Sequence, residues 1–316
     1  MIEQKHVFPS EGESCASGLY LPEHSNRDVA VANNDGVNDP GASAGETLPP
    51  VVIMAQGFGA ERAMGTGGFV RAFVDAGLAV FSFDYRGFGE STGKPRQLVH
   101  PGRHCQDWYN AVQYVRSLAT IDNRRIFLWG SSFSGGHVLV TAARIPGLAG
   151  VISQVPFCQA RGTAGSVPLT TGLAVAGHAL FDLFLSAFGA EHRIAIVAEP
   201  GGEMAAMRYP GWCRDYLAIA AGSPTWENSL PARSMMYMSQ YNPIDSAGRI
   251  DCPVLIISGS RDQGVPRQGV HATAEKIRNC EHIELDFDHF DLYEGFSLHN
   301  RAVELQLEFL QKHRQP

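Results

Sequence analysis

The chain of 316 residues is 44% hydrophobic and 18% charged, which is enough apolar material for a substantial core and excludes a fibrous or wholly disordered chain. Its formal charge of −7 argues against nucleic acid or an anionic membrane as the main partner. Six cysteines, at 15, 105, 158, 213, 252 and 280, are far apart with no C-x-x-C pair, so reduced buried thiols are expected rather than a disulfide frame or a metal site.

The first residues, "MIEQKHVFPSEG", lack the apolar stretch of a signal peptide, and a cytoplasmic protein is expected. Residues 24–50, rich in Asn, Asp, Gly, Ala and Pro, read as a mobile surface insertion between two N-terminal strands. From residue 51 short apolar runs alternate with helical periodicity. "VVIMAQG" reads as a strand, "GGFVRAFVDAG" as a helix and "LAVFSFDYRG" as a strand entering a turn. "DWYNAVQYVRSLA" is the next helix, followed by the strand "RIFLWG", the helix "SFSGGHVLVTAAR" and the strand "LAGVISQVP". The rhythm breaks over 157–248, which is strand-poor and rich in Met and aromatic residues, and resumes with "CPVLIISG", "GVHATAEKIRN", "EHIELD" and "LHNRAVELQLEFLQKH".

This alternation predicts a parallel α/β sheet formed by 1–156 and 249–316, with 157–248 inserted as a helical lid. The longest apolar stretch, residues 172–190, contains His178 and Asp182 and is barely long enough to span a bilayer, so a buried or amphipathic helix is the expectation.

Three serines stand together in "WGSSFSGG". A serine at the apex of a tight strand-to-helix turn needs small residues two before and two after it. Ser132 has Gly130 and Ser134; Ser131 has the bulky Trp129 and Phe133, and Ser134 would already lie in the helix. Ser132 is therefore the candidate nucleophile, although a serine can also simply cap a helix. Asp262 follows the strand "PVLIISG" in a glycine-bounded turn, and His289 follows "IELD", which offers an orienting acid and a base. His282, at the start of the last strand, is an alternative base, and His289 is preferred because it follows that strand. Asp286, Asp288 and Asp291 crowd His289; Asp286 or Asp288 could serve as the acid but are less suited because immediate neighbours rarely reach a histidine ring with good geometry. Backbone N–H groups of Phe133, at a helix N-terminus, and of Phe58, in the glycine-flanked "QGFGA", would stabilise an oxyanion.

Together "QGFGA", "FDYRGFGES", "WGSSFSGG", "SGSRDQGVP" and "DHFDLYEG" resemble the α/β-hydrolase superfamily across most of the chain. The resemblance implies a mostly parallel eight-stranded sheet flanked by helices, with a lid after the sixth strand. It extends to bacterial and fungal hydrolases related to polyketide thioesterases and acyl transferases. Two departures stand out: Ser134 replaces the second glycine of G-x-S-x-G, and Gln56-Gly57 replaces the His-Gly of several members.

The expected chemistry is hydrolysis of an acyl ester or thioester through Ser132, His289 and Asp262, with no cofactor and no metal. Phe181, Phe184, Met207, Trp212, Met235, Met236 and Tyr237 would line a roomy pocket for an apolar or aromatic substrate, or else pack the lid onto the core. The expected partner is a small-molecule acyl substrate, with a homodimer left open, and neither nucleic acid nor membrane. An acyltransferase would use the same triad with an alcohol or amine acceptor, and a non-catalytic ligand-binding protein could keep the fold. Ser132 argues against a dehalogenase. Neither H-E-x-x-H nor a full G-x-G-x-x-G supports a metalloenzyme or a dinucleotide oxidoreductase.

Overall fold

The computed structural model describes residues 1–23, 48–161 and 169–314. The expected insertion over 24–50 lies outside these except for 48–50, of which Pro50 already opens a strand.

Eight strands form one sheet: β1 (Ile2–Ser10), β2 (Glu13–Leu21), β3 (Pro50–Ala55), β4 (Ala79–Phe83), β5 (Asp122–Ser131), β6 (Gly150–Gln154), β10 (Val254–Gly259) and β11 (Cys280–Leu285). Their spatial order is β1-β2-β4-β3-β5-β6-β10-β11, with β2 antiparallel to both neighbours and every other pair parallel. The physical cause is visible in the sequence: β3, β4, β6 and β10 are buried along their whole length, as strands covered on both faces must be, and they read as mainly apolar runs, interrupted by Ser82, Ser153, Gln154 and Ser258. At one edge β1 alternates exposed and covered positions.

Helices α1 (Gly67–Asp75) and α8 (His299–His313) contact each other and cover one face with Phe69, Phe73, Leu305 and Phe309. The other face is covered by α2 (Pro101–Arg116) and α3 (Phe133–Ala142), which pack against each other. Helix α2 begins six residues before the start that its apolar spacing suggests. The His100 ring accepts a hydrogen bond from the Arg103 N–H, and Pro101 fits the first helical position. Between β10 and β11 runs α7 (Arg267–Lys276).

The described residues between β6 and β10 add no strand to the main sheet. It holds α4 (Leu169–Ser186), α5 (Trp212–Ala220) and α6 (Ser234–Ser239). It is not purely helical, however. β7 (Arg193–Val197), β8 (Ala205–Met207) and β9 (Leu230–Pro231) form a second, three-stranded sheet in the order β8-β7-β9. The short "RIAIV" forms a strand because partners complete its ladder. The Asn228 carboxamide accepts from Ile196 and Val197 N–H at 3.1 and 3.0 Å and donates to the Val197 carbonyl at 2.9 Å, in place of a longer neighbouring strand.

Helix α4 also departs from expectation. It is neither buried nor conventionally amphipathic: among its residues only Ala179 and Asp182 are buried. By length and composition it is the one helix among the described residues apolar enough to cross a membrane, with mean hydropathy 1.4. Asp182 fastens it to the body. Its carboxylate accepts from the His192 and Arg233 N–H groups and from the Arg233 guanidinium at 2.8–2.9 Å. None of the six cysteines forms a disulfide.

Candidate active site

Strands β3, β5, β10 and β11 end along one edge of the sheet, and their C-terminal loops converge there, where open α/β sheets build their sites. β5 runs straight into α3 through Ser132, whose φ of 59° and ψ of −119° place a non-glycine residue in a strained conformation. The small neighbours are sterically required. A Cβ on Gly130 would collide with the Ser134 carbonyl, and one on Gly135 would approach Pro156 Cα at 2.9 Å. Ser134 fits the second small position, fully buried, and its hydroxyl shares a 2.8 Å hydrogen bond with Tyr85, which accepts from the Trp108 indole at 2.9 Å. The departure from G-x-S-x-G thus adds a polar anchor between the turn and the "FDYRG" segment.

The structure brings Ser132, Asp262 and His289 together. His289 Nε2 lies 3.0 Å from Ser132 Oγ, and Nδ1 lies 2.6 Å from Asp262 Oδ2. The other Asp262 oxygen accepts the Gly264 and Val265 N–H groups, each at 3.0 Å, so the carboxylate is held on both sides. Both side chains are 3% exposed. The neighbouring acids are otherwise engaged. Asp288 accepts the His289 backbone N–H at 2.7 Å, exposed Asp286 pairs with Arg261, and His282 bonds Ser258.

The loop after β3 presses on the nucleophile turn. A Cβ on Gly57 would sit 2.9 Å from both Ser132 Cβ and the Ser131 carbonyl, so only glycine allows this approach. The N–H groups of Phe58 and Phe133 have no hydrogen-bond acceptor among the described residues, and their rings meet edge-to-face at 5.5 Å. Gln56 needs no histidine's chemistry to shape this loop. Its amide accepts the Gly57 N–H at 2.9 Å and donates to the Met64 carbonyl.

Four side chains of the inserted segment hold the same loop. Tyr216 donates to the Phe58 carbonyl at 2.7 Å and Trp226 to the Gly59 carbonyl at 2.9 Å. Ser223 and Thr225 donate to buried Glu61, which also accepts the Gly89 N–H. Behind the turn, His137 bonds Tyr241 at 2.7 Å, and complete burial pushes its imidazole down to about 3, so it stays neutral.

The cavity next to Ser132 holds only about 10 Å³, far below the roughly 300–1,000 Å³ of ligand pockets. It is narrower than the roomy pocket expected, and its lining corrects most of the proposed residues. Met207 lines it, and Trp212 stacks on His289 with ring centroids 4.5 Å apart. Phe181 and Phe184 do not line it; they stand on the outer face of α4, 52% and 62% exposed. Met235, Met236 and Tyr237, on α6, are half-buried and absent from its walls; Met235 packs against the main core and Tyr237 against His100. Apolar composition alone could not separate these roles. The missed walls are Tyr216, Ile219, Phe290 and Tyr293. Phe290 and Tyr293 follow His289 closely enough that the "DHFDLYEG" stretch signalled them.

Comparison with known proteins agrees with this architecture. The model of the family described as serine aminopeptidase, S33, matches residues 49–290. The chain is 36% identical over 267 residues to the quorum-quenching protein AidA of Acinetobacter baumannii, covering 84% of this chain and 88% of that one. It is 35% identical over 124 residues to the thiohydrolase aneE of Aspergillus aculeatus, covering 39% of each chain. Among solved structures it resembles the α/β hydrolase GrgF from Penicillium sp., with TM-score 0.79, 18% identity and 99% of both chains covered. The chain belongs to the serine aminopeptidase S33 family and is an enzyme of the α/β-hydrolase superfamily.

Proposed function

We propose that the protein cleaves a small acyl ester or thioester through a covalent acyl-enzyme on Ser132. The observation that carries the reading is the unbroken line Asp262–His289–Ser132, at 2.6 and 3.0 Å, in front of two unengaged N–H groups. In this mechanism His289 takes the hydroxyl proton as Ser132 Oγ attacks the carbonyl carbon. Asp262 holds the ring and stabilises the imidazolium, and the Phe58 and Phe133 N–H groups receive the developing oxyanion. The imidazolium then protonates the leaving alcohol or thiol, and a water activated by the same ring releases the acid. The names of the relatives, one a thiohydrolase and one a quorum-quenching protein, support acyl chemistry on a small molecule. Residues 157–248 serve in this reading as a cap over a core of 1–156 and 249–316.

A panel of chromogenic esters and acyl thioesters of graded length, with and without an added alcohol or amine, tests the proposal. Wild type should turn over at least one ester or thioester and bind a fluorophosphonate at Ser132, and Ser132→Ala should do neither. Labelling that persists in folded Ser132→Ala would refute the assignment. Acylated acceptor in place of free acid would make the enzyme a transferase using the same three residues.

A further inference from the structure

We propose that Tyr293 is a specificity-determining hydrogen-bond donor that recognises an acceptor oxygen of the substrate beyond its scissile carbonyl. The proposal rests on the Ser132 reading and deepens it.

A buried relay fixes the direction of every hydrogen bond leading to Tyr293. An indole N–H can only donate, so the atom that Trp129 Nε1 meets at 2.8 Å must be the carboxamide oxygen of Gln306. The Gln306 amide nitrogen then faces Gln154 and donates to its oxygen at 2.7 Å. That leaves the Gln154 nitrogen to donate to Ser131 Oγ at 3.1 Å. Ser131 Oγ lies 2.6 Å from the Tyr293 hydroxyl, and only one proton can occupy that line. Ser131 has no other acceptor for its proton among the described residues and is fully buried, whereas Tyr293 lines the cavity beside Ser132 and His289. The arrangement that leaves no buried hydroxyl proton stranded has Ser131 donating and Tyr293 turning its own O–H to the cavity.

Burial raises the Tyr293 phenol above its ordinary value, so it remains a neutral donor. Trp129, Gln306, Gln154 and Ser131 are all fully buried, and Tyr293 is 2% exposed, so the relay is shielded from solvent and holds one polarity. The carbonyl oxygen under attack already has the Phe58 and Phe133 N–H groups. The phenol is therefore left for a second oxygen, such as an ether, hydroxyl or keto group near the reacting carbon.

Substrate pairs that exchange one methylene for oxygen isolate this contact. Suitable pairs are p-nitrophenyl butanoate against methoxyacetate, pentanoate against 3-methoxypropanoate, and butyl against 2-methoxyethyl esters. Intrinsic reactivity cancels when the oxygen-to-methylene ratio of kcat/KM is compared between wild type and Tyr293→Phe. For at least one pair the ratio should fall about tenfold in the variant, as expected for one lost hydrogen bond. The rate of Ser132 labelling by a compact fluorophosphonate is read in the same variant, to separate loss of this contact from loss at the shared carbonyl. Ser131→Ala, which keeps the phenol but removes the hydrogen bond orienting it, should lower the same ratio by a smaller factor. Unchanged ratios for every pair would overturn the proposal. So would a uniform loss across both members of each pair that is matched by slower labelling, because it would place Tyr293 at the shared carbonyl or in the fold. Wild type that fails to label at Ser132 would refute the triad itself, a separate outcome.

Discussion

Two stretches of the segment between β6 and β10 both carry large apolar side chains and are opposite in what they touch. Around α5, Tyr216, Ser223, Thr225 and Trp226 donate hydrogen bonds into the loop that carries Phe58, and Trp212 stacks on His289. Helix α4 presents Leu173, Leu180, Phe181 and Phe184 to the exterior and is held by the buried Asp182 carboxylate and by His178, which bonds and stacks on His192. The difference lies in the polar atoms. A tyrosine hydroxyl or an indole N–H next to a loop carbonyl finds a partner and fixes geometry, whereas leucine and phenylalanine supply area without direction. Apolar content locates a cap. Polar tips identify the part of it that shapes the site.

The largest expected effect breaks the anchor of the looser stretch. Asp182→Ala leaves the Arg233 guanidinium buried without its partner, since the Asp182 side chain is fully buried and that of Arg233 is 9% exposed. The expected loss is about 3–5 kcal/mol of stability, read by denaturant unfolding. Next, Gly57→Ala pushes the oxyanion loop off Ser132 through the 2.9 Å contacts its Cβ would make. A fall in kcat of about 100-fold is expected, with the melting temperature little changed.

Tyr216→Phe releases the Phe58 carbonyl and sharpens the contrast further. The expected cost is about tenfold in kcat with KM less affected, and weakened binding of a boronate that mimics the tetrahedral state. The smallest effect is expected at the exposed stretch. Phe181→Ser with Phe184→Ser should change stability by no more than about 0.5 kcal/mol per site and leave kcat/KM for short esters near wild type. A large loss of activity there would place α4 in the site and erase the contrast.

Much of this was legible in the residues themselves. The strands covered on both faces advertise themselves as short, mainly apolar runs. Ser132 is singled out by the size of its neighbours, and Asp262 and His289 by their place just after strands. What the sequence hid is long-range partnership. Whether Phe181 faces a cavity or the exterior depends on how α4 is held, and that is set by Asp182 meeting Arg233 51 residues later. β7 was missed because its ladder is completed by the Asn228 side chain, which no periodicity reports. The relay from Trp129 to Tyr293 joins residues from two strands, a loop and the last helix; only the fold aligns them.

Direct observation of the acyl-enzyme tests the central claim most sharply. Enzyme mixed with a slowly turned-over ester, quenched in acid and digested, should yield a peptide containing Ser132 heavier by the acyl group. The adduct should form at a rate no slower than kcat and be absent in Ser132→Ala. Turnover with no adduct on any residue, or an adduct carried by a different side chain, would contradict the account.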